Sequence, residues 1–424
     1  MITKKESGHT SRSENRCSKV SKEYRVDRLS SNPAVSKPLS GIRVVDFTRV
    51  LAGPYCAQLL GDLGADVVKV ELPEVGDPLR HQGPPFVHGN GISFYAANRN
   101  KRSIALDLKS DEGRRIAKDL CGKADVVLEN FRPGVMDHLG LGYETLSRDN
   151  PRLIYASISG FGADGPDSGR RAYDLTVQAI GGYMSITGQR DGEPVKLGTS
   201  GFDVLAGTNC YAGILAALLQ RTTTGRGQRI ETSLLESQVA FLVGSALEYL
   251  LTGVEPGKWG SEHPQQVPYK AFKAADGWVV IAAGFENLYP EFCKVLNRAD
   301  LATDARFRTM ADRVENRELL YGILDAEVAK FPSSRILAAL EAAGVPCAPI
   351  NTMKQVFSDA QVLHRDMKQV LRHPQYGEVS SLGAAVKFSA FDVTSDWRAP
   401  PMVGEHTADV LRDWLGVEAP PVGK

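Results

Sequence analysis

From Leu39 onward, short apolar runs rich in β-branched residues alternate with segments whose apolar positions recur every three to four residues. GIRVVDF (41–47), ADVVKVEL (65–72), RSIALDL (102–108), DVVLENF (125–131) and PRLIYASISGFG (151–162) read as buried strands. Between them, GPYCAQLLGDLG, entered through Pro54, and SDEGRRIAKDLCGKA, with acids in its first turn, read as helices. Strands alternating with helices of this length predict parallel βαβ units. The fold class is therefore α/β, with a doubly wound, Rossmann-like parallel sheet in a large domain.

Further along, SGFDVLAGTNCYAGILAALLQRTTTGRG (200–227) predicts a long helix opening at Asp203, with Gly207, Ala212, Gly213, Ala216 and Ala217 as small residues along it. RIETSLLESQVAFLVGSALEYLL (229–251) reads as another apolar helix, and KAFKAADGWVVIAAG (270–284) as a hairpin around Asp276-Gly277. Amphipathic helices are expected near 286–296, 313–329 and 333–343. These elements divide the chain into a large domain (39–235 and 335–424), a smaller α+β domain (255–334) and a linking helix (236–254). Residues 1–38 are rich in Ser, Lys and Arg and predict a disordered tail. Glu6, Glu14, Glu23 and Asp27 oppose a targeting presequence, so a cytoplasmic protein is expected, with the mitochondrial matrix the alternative.

Charge and cysteine usage narrow the chemistry. Fifty basic residues balance fifty acidic ones over 424 residues, which argues against nucleic acid or a membrane surface as partner. Among the apolar runs none approaches the length of a spanning helix. Six scattered cysteines without a C-x-x-C pair, and eight histidines without H-E-x-x-H, give no metal site. The turn after the first strand, TRVLAGPY, lacks G-x-G-x-x-G, which disfavours a nicotinamide or flavin cofactor. Hydrolase signatures such as G-x-S-x-G are also missing.

Asp203 is the leading chemical candidate. As an ordinary residue it caps the helix, Asp being a favoured N-cap. A carboxylate beside the positive end of a helix dipole should also stay ionised, and an ionised carboxylate in a crevice can act as a nucleophile. Asp174, in GRRAYDLTVQA, is a second acid, with Arg170 and Arg171 just ahead of it. Lys109 and His138 read most simply as a solvated lysine and a surface or packed histidine.

Several blocks, in order, resemble the class III CoA-transferase family: LSGIRVVDFTRVLAGPYCAQLLGDLGADVVKVE, NRNKRSIALDLKSDEG, ADVVLENFRPG, RRAYDLTVQA, FDVLAGTNCYAGILAALLQRTTTGRGQ, GVPCAPINTM and GEHTADVL. Within the family, the stretch KWGSEHPQQVPYKAFKAADGWVVIAAG is most similar to the succinate–hydroxymethylglutarate branch. The resemblance implies a Rossmann-like domain with a smaller domain, two such chains interlocked as rings in a homodimer, and no permanently bound cofactor. CoA and acyl-CoA would be substrates, with succinyl-CoA the donor and a small, dicarboxylic acid the acceptor. It makes Asp203 the catalytic residue. It assigns CoA binding to Leu51, Ala52, Leu72, Leu106, Asp107, Leu108, Lys109, Asn130, Phe131, Arg132, His138, Arg171, Ala172, Tyr173 and Asp174. Leu72 and His138 stand where formyl-CoA transferase has arginines, and GSEHPQQVP stands in the region of that enzyme's glycine-rich loop. A 2-methylacyl-CoA racemase of the same family, or a non-catalytic CoA-binding protein, is the alternative. Tyr173 occupies the place of the racemases' histidine and favours transfer.

Overall fold

The computed structural model describes residues 36–417, so positions 1–35 of the expected tail lie outside the described residues. The described chain starts before Leu39: Lys37 is buried, its Nζ donating to the Val393 carbonyl at 2.9 Å and pairing with Asp396. Contacts divide the chain into two units, one of residues 36–177, 199–241 and 359–417, the other of Gln178–Gly198 and Leu242–Ser358.

The first unit is built on six parallel strands. In chain order its main elements are β1 (Arg43–Asp46), α1 (Ala52–Asp62), β2 (Asp66–Glu71), β3 (Lys101–Ala105), α2 (Asp111–Gly122), β4 (Val126–Glu129), β5 (Ile154–Ser159), the start of α3 (Asp174–Ile180, whose last three residues fall in the second unit), α4 (Gly201–Thr224), β6 (Arg229–Ser233) and α5 (Leu234–Phe241). The sheet order is β3-β2-β1-β4-β5-β6, with Val44 opposite Val67 and Val45 opposite Val127. Alternation along each strand feeds two cores. Val44, Val67, Val126 and Ile154 pack on one face with Cys56 and Leu60 of α1 and Ala206, Cys210 and Ile214 of α4. Val45, Val68, Ile104 and Val127 pack on the other with Ala117 and Leu120 of α2 and with Trp414. Ser110 caps α2, its hydroxyl accepting from Gly113 N at 3.0 Å.

Two sequence expectations change. Residues 229–233 form the edge strand β6 rather than the start of a helix. The cause is legible in R-I-E-T-S, whose half-buried Ile230 and Thr232 alternate with exposed Arg229 and Glu231. The apolar segment behind it breaks into α5 and a second helix, Val243–Thr252, with Val243 at φ 36°. The helix α4 is, by length and mean hydropathy, apolar enough to cross a membrane. Here it is a core helix, with Phe202, Ala206, Cys210, Ile214 and Ala217 buried.

In the second unit the expected hairpin pairs Tyr269–Lys273 with Trp278–Ala282, antiparallel, and Cys347–Pro349 adds a third strand. Phe272, Val279, Ile281 and Phe292 share its core with Leu320, Leu324, Ile336, Leu340 and Val345. Residues 335–358 therefore belong to this unit and not to the large domain, because Ile336, Leu340 and Val345 bury their side chains here.

A buried ionic network underlies the carboxyl ends of β1, β2 and β3. Lys101 Nζ donates to Asp46 Oδ2, Asn98 Oδ1 and the Pro54 carbonyl, each at 2.9 Å. Lys69 Nζ donates to the Thr48 carbonyl at 2.7 Å and pairs with Asp77 at 2.9 Å. Arg80 forks onto Glu71 at 2.7 and 2.9 Å. Burial pushes the Lys101 ammonium down to about 8, the Asp46 charge opposing it. Such a network is costly to disrupt, since removing one partner strands a buried charge.

Gly207 explains the small-residue face of α4. A Cβ there would sit 2.4 Å from the Ala52 carbonyl oxygen and 3.4 Å from Cys56 N, so the helix packs backbone to backbone on α1. Gly207→Ala should destabilise the protein by about 1–3 kcal/mol through overpacking. Gly322→Ala, in the helix Arg317–Val328 with open space around its Cβ, should instead be neutral or stabilising. Thermal unfolding of both variants checks this; equal melting temperatures for the two would contradict it.

Candidate active site

The sheet reverses its winding between β1 and β4, and in such sheets ligands bind outside the carboxyl ends of the strands at that switch point. There the loop after β1 holds Arg49, Val50 and Leu51, and the loop after β4 holds Asn130, Phe131 and Arg132. The two loops are clipped together. Arg49 N donates to Asn130 Oδ1 at 2.9 Å, and Asn130 Nδ2 donates to the Arg49 carbonyl at 2.8 Å. The Arg49 guanidinium lies over the Phe131 ring, 5.0 Å from its centroid. Val50 takes a left-handed φ of 66°, and its N–H reaches Asp77 Oδ1 at 3.3 Å, so the ionic network fixes this turn from below.

Other expected CoA-binding residues distribute along the same edge. Leu72 follows β2 and is exposed; Leu106 follows β3 but its side chain is buried in the core, leaving only its backbone for a ligand. Asp107 folds its own turn, Oδ1 accepting from Lys109 N at 2.9 Å, beside half-buried Leu108 and exposed Lys109. Leu51 precedes α1, whose first residue Ala52 is buried. Arg132 and His138 are exposed on the loop and short helix after β4. Arg171 and Tyr173 are exposed, while Ala172 packs beneath Gly160, leaving no room for a Cβ there. Arg49, which the geometry places in the same loop, was not among the residues singled out from the sequence. Its signal was its place in TRVLAGPY, directly after the first strand.

Asp203 does not cap its helix. The helix begins two residues earlier, at Gly201, after Ser200, whose side chain makes no capping bond. The capping acceptor comes from α3: Asp174 Oδ1 accepts from Phe202 N at 2.8 Å and from Asp203 N at 3.3 Å. Asp174 thus has a second role beyond the CoA contact expected of it, holding the N-terminus of α4. Asp203 lies four residues before Gly207 on one helix face, so it shares the face that meets α1 beside the β1–α1 turn. Among the described residues no donor hydrogen-bonds its half-buried carboxylate, and none of them form a group of three His, Cys, Asp or Glu placed to hold a metal ion.

Burial, and then the negative charge of Asp174, push the Asp203 carboxyl up to about 7. The expectation that the helix dipole keeps Asp203 fully ionised at neutral pH is therefore corrected: the dipole acts in the opposite direction and is outweighed. Folded protein holds this proton to about pH 7, whereas the unfolded chain releases it near 3.8. The charge on Asp203 then destabilises the fold increasingly as pH rises between those values. Asp203→Asn should raise the melting temperature relative to wild type by more at pH 8 than at pH 4. Scans over that range test this, and a difference flat in pH would contradict it.

Comparison with known proteins gives the family. Residues 39–407 match CoA-transferase family III. The chain is 45% identical over 379 residues to a mouse protein named succinyl-CoA:glutarate CoA-transferase, covering 89% of this chain and 87% of that one. It is 38% identical to a succinate–glutarate CoA-transferase of Agrobacterium fabrum, covering 92% of this chain and 99% of that one. A crystal structure of a CaiB/BaiF family protein from Brucella suis superposes with a TM-score of 0.80 at 41% identity, covering 90% of this chain and all of that one. The chain belongs to CoA-transferase family III.

Proposed function

We propose that the protein moves CoA from succinyl-CoA to a free dicarboxylic acid, glutarate being the first acceptor to test, with Asp203 as the nucleophile. The observation that carries the reading is a half-buried carboxylate without a donor among the described residues, in the first turn of α4, whose amide groups are held by Asp174. The named activities of the mouse and Agrobacterium relatives support the donor and the acceptor class.

In the reaction, Asp203 attacks the thioester carbonyl of succinyl-CoA, forming a mixed anhydride and releasing CoA thiolate. The thiolate attacks the Asp203 carbonyl of that anhydride, giving an aspartyl-CoA thioester and free succinate. The acceptor carboxylate attacks this thioester and forms a second anhydride. Thiolate then opens it at the acceptor carbonyl, giving the new acyl-CoA and restoring Asp203. Every step exchanges acyl bonds of comparable energy, so no nucleotide triphosphate enters. Leu51, Ala52, Leu72, Leu106 to Lys109, Asn130 to Arg132, His138 and Arg171 to Asp174 form the CoA-binding edge. A homodimer is part of this reading, supported by the helix Val243–Thr252, whose Leu250 and Leu251 are 73% and 80% exposed.

Asp203→Ala should lower the rate of glutaryl-CoA formation from succinyl-CoA at least about 10³-fold. In wild type, kcat/KM should rise with pH through about 7 as Asp203 loses its proton. Asp174→Asn removes a negative charge beside it and should move that limb to lower pH. Undiminished transfer by the alanine variant, chromatographed as acyl-CoA products, would overturn the assignment.

A further inference from the structure

We propose that Arg49 is an anion-binding arm that takes a phosphate group of CoA at the switch point of the sheet; this rests on the transferase reading above. Arg49 is exposed where a ligand meets the carboxyl end of β1, yet it is not a free surface arginine. Its backbone is held on both sides by the Asn130 side chain, and its neighbours are held too, Thr48 by Lys69 and Val50 by Asp77. The guanidinium lies over Phe131, which keeps its plane in place while leaving the edge N–H groups open.

Among the described residues no carboxylate or carbonyl accepts from that guanidinium. Exposed Arg132 and Arg171 share this, whereas Arg80, Arg99 and Arg170 do not. Arg80 is bound to Glu71 and Arg99 to Asp62, both buried, and Arg170 pairs with Asp167. The neighbouring loop after β2, Leu72-Pro73-Glu74-Val75, offers no cation at all. A planar, always charged fork presented without a partner suits a bidentate phosphate, and the stiffened side chain loses little entropy on binding. CoA carries two kinds of phosphate that fit this chemistry, the 3′-phosphate and the pyrophosphate.

Calorimetric titration of the full-length protein separates them, using CoA, dephospho-CoA and phosphate-free pantetheine on wild type, Arg49→Gln and Arg49→Lys. Arg49→Gln should weaken CoA binding at least about tenfold, with Arg49→Lys recovering part of the loss. A loss that disappears with dephospho-CoA places the 3′-phosphate on Arg49, and one that persists there places the pyrophosphate. Pantetheine should bind all three proteins alike. CoA affinity unchanged in Arg49→Gln, or an equal loss for pantetheine, would overturn the proposal. Melting temperatures within about two degrees of wild type exclude misfolding as the cause. Wild-type protein that binds CoA but transfers it to no acid would contradict the transferase reading alone.

Discussion

The site depends on one contact, the acceptance of two amide protons at the start of α4 by the Asp174 carboxylate. A helix N-terminus leaves unsatisfied N–H groups, and the side chain of the N-cap residue ordinarily accepts from one of them. Here a carboxylate from another helix takes them, so Asp203, inside the first turn, keeps its oxygens for other chemistry. The same contact sets the electrostatics, because Asp174 adds its charge to the burial that raises Asp203 to about 7. One residue thus helps to hold the candidate nucleophile in place and adds to the burial that delays its ionisation.

A second layer fixes the opposing wall. Asp46, Lys69, Asp77 and Lys101 are buried beneath the β1–α1 turn, and their partners include the Thr48 carbonyl and Val50 N–H. Burial alone would raise the Asp46 carboxyl, but the two lysines hold it below its usual range. The turn they support is the one clipped to Asn130. Gly207 brings α4 against the same α1 backbone, closer than any side chain would allow. Rigid support from below, with exposed Arg49 and half-buried Leu51 above, is what a site at a sheet switch point requires.

Much of this was legible in the chain. Val44 and Val45 facing opposite cores, Pro54 in the first turn of α1 and the Asp276-Gly277 hairpin follow from local pattern alone. β6 was missed because an edge strand is only half-buried, and apolar density after Leu234 overrode its short alternation. The small unit's extent was misjudged because nothing local in GVPCAPI tells which sheet Cys347 joins. Asp203 was singled out from its motif as a candidate, but its relation to Asp174 was not, since 29 residues separate the partners and only folding brings them together. Arg49 and Asn130 are a stronger case, 81 residues apart in sequence.

In the proposed reaction Asp203 joins covalently to acyl group and coenzyme in turn. An acceptor acid labelled with ¹⁸O in its carboxylates tests it most directly, by peptide mass spectrometry after turnover with succinyl-CoA. Opening of the second anhydride at the acceptor carbonyl leaves one acceptor oxygen on Asp203 per cycle, so the peptide bearing it should be about 2 Da heavier after one turnover and approach about 4 Da heavier over many. Formation of the new acyl-CoA with that peptide at its unlabelled mass would contradict the account.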